Sequence, residues 1–77
     1  MTNQEEKDYI KKIFSDTYRF LEKWNRPLKE EEWDAYLAES NEIYKKYKDV
    51  DPAMKHFCRK MLVAILTYKE TKYRETK

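Results

Sequence analysis

Apolar side chains recur at intervals of three and four residues in three separate stretches, and two prolines mark the breaks between them. In the first stretch Ile10, Ile13, Phe14, Thr17, Leu21 and Trp24 share one helical face, and Tyr9 and Phe20 widen one edge. Lys11, Lys12, Ser15, Asp16, Arg19, Glu22 and Lys23 fill the opposite face. Thr2, three residues before Glu5, predicts a capping box in which the two residues satisfy otherwise unpaired N–H groups. The helix should end by Arg26, because the residue before Pro27 is pushed out of helical geometry.

The second stretch follows Leu28. Its opening Glu30-Glu31-Glu32 and Asp34 place negative charge at the positive end of a helix dipole, and Lys45, Lys46 and Lys48 sit at the other end. Trp33, Tyr36, Leu37, Ser40, Tyr44 and Tyr47 form the expected buried stripe with Ile43 on its flank; the Ser40 hydroxyl can bond back to the preceding turn. Asp51-Pro52 then opens a third helix. Asp51 supplies the cap, and Pro52 suits the first helical position, where its missing N–H would have had no partner.

Met54, Phe57, Cys58, Met61, Ile65 and Tyr68 follow one face of this third helix, with Leu62, Leu66 and Tyr73 as a second stripe beside it. An arc that wide suits a helix touching both others. Val63 is the exception: at about 100° per residue it projects with His56, Arg59, Lys60 and Arg74, toward solvent.

Composition narrows the class. A chain of 77 residues has interior for one small core. Charged residues make up 42% of it, yet 40% are apolar and 16% aromatic, so there is enough large side chain to offset the entropy of ordering. Glycine is absent, which disfavours every fold built on left-handed turns. No repeat or continuous heptad runs through the breaks. The predicted architecture is all-α, a small antiparallel three-helix bundle in a single domain spanning 1–77, with helices at about 3–25, 29–48 and 52–74.

Net charge is +2, distributed as +1 over residues 1–28, −3 over 29–50 and +4 over 51–77. An acidic middle and a basic last third should attract one another where they pack. The longest apolar run, Met61 to Leu66, is six residues, whereas a membrane span needs about twenty. The N-terminal residues lack the basic and apolar segments of a signal peptide, no lipidation signal closes the C-terminus, and the lone Cys58 allows no internal disulfide. A cytoplasmic location is the expectation, with no membrane partner.

Little here resembles catalytic machinery. Without glycine there is neither a phosphate-cradling loop nor a dinucleotide fingerprint. His56 and Cys58 diverge by roughly 200° on one helix and cannot share a proton. One His and one Cys cannot assemble a transition-metal site, and the carboxylates of Glu30 to Glu32 fan outward. The expectation is a protein that is not an enzyme, with no cofactor and no metal.

Two kinds of partner remain. A protein partner, or a second copy in a homodimer, would meet the third helix at Arg59, Val63 and Leu66. The alternative is a nucleic-acid-associated protein using Lys55, Arg59, Lys60 and Arg74, where cations release counterions from phosphates; Lys69, Lys72 and Lys77 enlarge the same basic third. Against it, a recognition helix presents a polar reading face, and this helix is the most apolar of the three. The segments Glu32-Trp33-Asp34, Ile43-Tyr44-Lys45-Lys46-Tyr47 and Phe57-Cys58-Arg59-Lys60-Met61-Leu62-Val63-Ala64-Ile65, with the aromatic first helix, resemble short uncharacterised all-helical proteins of phages and mobile elements in Gram-positive bacteria. That group has no established activity, so the resemblance implies a small accessory protein that binds another protein, and no functional residue carries over.

Overall fold

A computed structural model describes residues 2–74, the side chain of Arg74 excepted. Three helices, α1 (Asn3–Trp24), α2 (Glu32–Tyr47) and α3 (Pro52–Arg74), each pack on both of the others, and no strand occurs among the described residues. The protein is therefore an all-α three-helix bundle, about 47 Å long and 20 Å wide. Lys23 meets Glu39 and Lys46 meets Asp16, so α1 and α2 run antiparallel. Phe14 meets Phe57 and Lys69 meets Trp24, so α1 and α3 run parallel. The third helix touches both others, as its wide apolar arc predicts.

Both helix starts read from sequence are formed. Thr2 Oγ1 accepts from the Glu5 N–H at 3.1 Å, while its hydroxyl donates to the Glu5 carboxylate instead of leaving that carboxylate to a backbone N–H. Asp51 Oδ1 accepts from the Ala53 N–H at 3.3 Å, and Pro52 is the first helical residue. The second helix starts later than expected, at Glu32 and not near residue 29. Residues 29–33 form tight turns in which Glu32 N–H donates to the Lys29 carbonyl and Trp33 N–H to the Glu30 carbonyl. The Glu32 carboxylate anchors this connector: it accepts a bidentate pair from Arg26 at 2.9 and 2.5 Å and the Lys29 N–H at 3.0 Å. Arg26 thereby holds Glu32 far below the ordinary carboxylate range, at about 2.

The core holds Ile13, Phe20, Trp24, Tyr36, Ile43, Tyr47, Met54, Cys58, Leu62 and Ile65. Around Tyr36 the rings of Phe20, Trp33 and Trp24 lie with centroids 4.8, 5.4 and 6.0 Å away. Thr17 is also buried, its hydroxyl donating to the Ile13 carbonyl at 2.7 Å, the back-bonding expected at Ser40.

Four stripe assignments are corrected. Phe14, Leu37 and Tyr68 stand about half exposed, at 51%, 51% and 48%, while Ile43, expected on a flank, is buried. Each helix here faces two neighbours, so its buried centre points between them, and residues well round from that centre form the lips of the grooves. The acid–base attraction expected between the second and third segments is redirected as well. Glu39 pairs with Lys23 at 2.8 Å, and Lys46 with Asp16 at 3.4 Å, both across α1 and α2.

The far end of α1 shows what replaces glycine. The first and last turns of any helix leave backbone groups without partners, and a left-handed glycine commonly closes the C-terminal end. No described residue has positive φ. Lys69, 2% exposed, reaches across from α3 instead, and its ammonium donates to the carbonyl oxygens of Trp24 and, at 2.9 Å, Arg26. A cation there also suits the negative end of the helix dipole. Its charge faces the rings of Tyr73 and Tyr36 at 5.2 and 5.7 Å. Burial, followed by the nearby charges of Arg26 and Lys72, pushes the Lys69 pKa down.

Candidate functional site

Two seams of the bundle carry grooves that differ in chemistry. Between α1 and α2 runs a groove lined by Asp16, Arg19, Phe20, Lys23, Glu39, Glu42, Ile43 and Lys46, six of the eight charged. Four of the six are engaged across the seam: Asp16 accepts from the Tyr47 hydroxyl at 2.5 Å as well as from Lys46, and Glu39 accepts from Lys23 and the Trp24 indole. Burial pushes Glu39 up, but the bonds from Lys23 and Trp24 outweigh it, and the carboxyl titrates below its usual range. Burial, then the bond to Asp16, drives the Tyr47 phenol up.

Between α2 and α3 lies a groove of about 300 Å³ lined by Tyr36, Leu37, Ser40, Asn41, Tyr44, Arg59, Leu62, Val63 and Leu66. Only Arg59 is charged. The lips are Leu37 and Val63, half exposed at 51% and 50%, and the floor is Leu62 and Tyr36. The buried Tyr36 hydroxyl has no hydrogen-bond partner among the described residues. Arg59, Val63 and Leu66 thus fall on one wall of one groove. Val63 was expected to point away from the bundle; it instead rims this groove opposite α2, because the α2 side of α3 extends further round the helix than the stripe suggested. The facing wall, Leu37, Ser40, Asn41 and Tyr44, was not identified from the sequence. Leu37, Ser40 and Tyr44 belong to the stripe that the sequence assigns to the core, and Asn41 lies outside it.

Of the basic residues named for nucleic acid, Lys55, Arg59 and Lys60 are exposed on α3. Arg59 also lines the α2–α3 groove. Lys69 is consumed by the α1 carbonyls. Lys72 donates to the Asn25 side-chain oxygen at 3.2 Å. The side chain of Arg74, and Lys77 altogether, lie outside the described residues.

Cys58 is fully buried, and burial, followed by the Asp16 charge, pushes its thiol up, away from nucleophilic chemistry. No group of three or more His, Cys, Asp or Glu positioned to hold a metal occurs among the described residues, and no described helix is long and apolar enough to cross a membrane. The molecule therefore belongs to the class of small all-α bundles with an open apolar seam. Comparison with protein-family models, curated proteins and solved structures finds no match.

Proposed function

We propose that this chain is a non-catalytic helical interaction module whose contact surface is the α2–α3 groove. The observation that carries this reading is the half exposure of Leu37 and Val63 on opposite lips of a groove with an apolar floor and one cation, Arg59. Exposed apolar residues scattered singly are ordinary, but here they border one concave surface. An amphipathic helix fits such a seam: its apolar anchors would enter between the lips, and a carboxylate would meet Arg59. The engagement of Lys69 and Lys72 with the end of α1 removes two cations from the basic third and weighs against the nucleic-acid alternative.

The test compares native-host partners captured by wild type and by Val63→Glu, with circular dichroism establishing equal folding. Binding lost in the variant and little changed by salt is the expected result. Identical capture by the two proteins would overturn the groove, and binding that falls steeply with salt would transfer the function to phosphate contacts.

A further inference from the structure

We propose that the cavity at the end of the bundle, where the connector after α1 meets the last turns of α3, is a binding site for a small aromatic carboxylate. It shares no lining residue with the α2–α3 groove and does not depend on the reading given to that groove. The cavity has a volume of about 350 Å³, at the lower end of the roughly 300–1,000 Å³ of small-molecule sites. Leu28, Trp33 and Tyr73, all partly buried, form its apolar walls, and Arg26, Lys69 and Glu70 are the charged residues of its lining.

The argument is the state of the Lys69 ammonium, which is 2% exposed. An ammonium has three N–H donors. Two are taken by the carbonyl oxygens of Trp24 and Arg26, and the third has no acceptor among the described residues. Nor does a carboxylate of the described residues lie within ion-pair distance of it. Arg26 is clamped by Glu32, and Glu70, exposed at the rim, is already engaged within the chain. A buried charge without a counter-ion is costly, and an anion accepting from the third N–H supplies the counter-ion that the chain does not. The ring of Tyr73, one wall of the cavity, lies 5.2 Å from the ammonium, so that donor is within reach of a ligand seated against the wall.

The walls define the rest of the ligand. A ring entering with the anion packs against Trp33 and Tyr73, which favour offset or edge-on aromatic contacts. The Glu70 charge at the rim opposes a second negative charge, so a monocarboxylate fits better than a phosphate dianion. A free aromatic acid and the C-terminal phenylalanine of a peptide share this chemistry.

The experiment is a titration of the full chain followed by proton–nitrogen NMR. Phenylpropionate stands for the free acid, an acetylated peptide ending in phenylalanine stands for the chain end, and the carboxamide of each is the control. The Trp33 indole N–H should shift saturably, while that of Trp24, held by Glu39 on the α1–α2 seam, should move much less. At least one of the acids should bind about tenfold or more tighter than its amide, the scale of a hydrogen bond to a charged group. Binding by one acid and not the other names the source of the carboxylate and supports the site. Lys69→Met, with its fold checked by circular dichroism, should lose the preference for acid over amide. The comparison of acid with amide in the wild type stands whatever the stability of that variant. Equal affinity for acid and amide overturns the proposal, as does the lack of a saturable Trp33 shift at millimolar ligand. So do shifts centred on Leu37 and Val63, or a folded Lys69→Met variant that keeps the preference.

Discussion

The α1–α2 seam and the α2–α3 seam are built from the same helix and both carry a groove, yet one is bridged by charged side chains and the other is apolar. Toward α1, α2 presents Glu39, Ile43 and Lys46, and the long charged side chains reach over the buried isoleucine to partners on α1. Toward α3 it presents Leu37, Ser40, Asn41 and Tyr44, which are too short or too apolar to bridge the gap. A charged seam finishes its own surface, because each ion can find its counter-ion one helix away. An apolar seam can be finished only by more apolar surface, and a chain of this size has none to spare.

The largest effect follows from placing the same charge on the two sides of that distinction. Ile65→Asp buries an unpaired carboxylate at a residue 7% exposed, a change that costs about 3–5 kcal/mol. A core of this size supplies about the same, so the variant should be unfolded by circular dichroism. A buried Leu37, as the stripe predicts, would make Leu37→Asp unfold the chain too. With its side chain on an open lip, it should lose under about 1 kcal/mol and keep its helical signal. A Leu37→Asp chain that unfolds would return Leu37 to the core and close the groove.

Next in size is the end of the bundle that joins neither seam. Lys69→Met keeps the length of the stem but leaves the Arg26 carbonyl without the Lys69 donor and the Trp24 carbonyl with the Arg26 N–H in place of two donors. The loss of these two bonds should cost about 1–3 kcal/mol, seen as a lower urea midpoint with an unchanged slope. Lys72→Met, at an exposed position three residues on, should cost under about 0.5 kcal/mol. Equal losses would mean that the α1 end is closed by charge in general and not by this one side chain.

These cases show what the sequence made legible. Pro27 and Asp51-Pro52 act within a few residues, so the breaks between helices could be read directly. The late start of α2 could not, because it depends on Arg26 clamping Glu32 across the connector. Lys69 was legible by position and obscured by type: it is the fourth residue after Ile65 and the seventh after Leu62, squarely on the buried face, yet it was counted among the surface cations. Arg59, Val63 and Leu66 were singled out from α3 alone, but the opposite wall needed knowledge of how α2 is rotated against α3. Periodicity gives a helix its face; only packing against two neighbours gives that face its centre.

A smaller effect, of opposite sign, probes the floor of the apolar seam. The buried Tyr36 hydroxyl has no partner among the described residues, and burial, then the Glu70 charge, pushes its pKa up. Tyr36→Phe keeps the ring among Phe20, Trp24 and Trp33 while deleting the unpaired group. The variant should match the wild type or gain up to about 1 kcal/mol in chemical denaturation. A loss of similar size would show that the hydroxyl has a partner in solution, and the floor of the groove would then be wet rather than apolar.

The smallest effect is a difference in how the two seams respond to acid. Glu32 titrates at about 2 in the folded chain against an ordinary 4.5, first because of Arg26 and then because of the Lys29 N–H. A depressed carboxyl stabilises the fold above its unfolded value, and that contribution is lost as pH falls from about 4.5 to about 2. Glu39, also held low, adds a loss of the same sign on the α1–α2 seam. The α2–α3 groove has no carboxylate in its lining and should not respond. Urea midpoints of wild type and Glu32→Gln should therefore differ near neutrality and converge toward pH 2, with Trp24 fluorescence, beside Glu39, reporting the change. Parallel curves down to pH 2 would show that the Arg26–Glu32 clamp, exposed as it is, makes no net contribution, and that the connector is held by its tight turns alone.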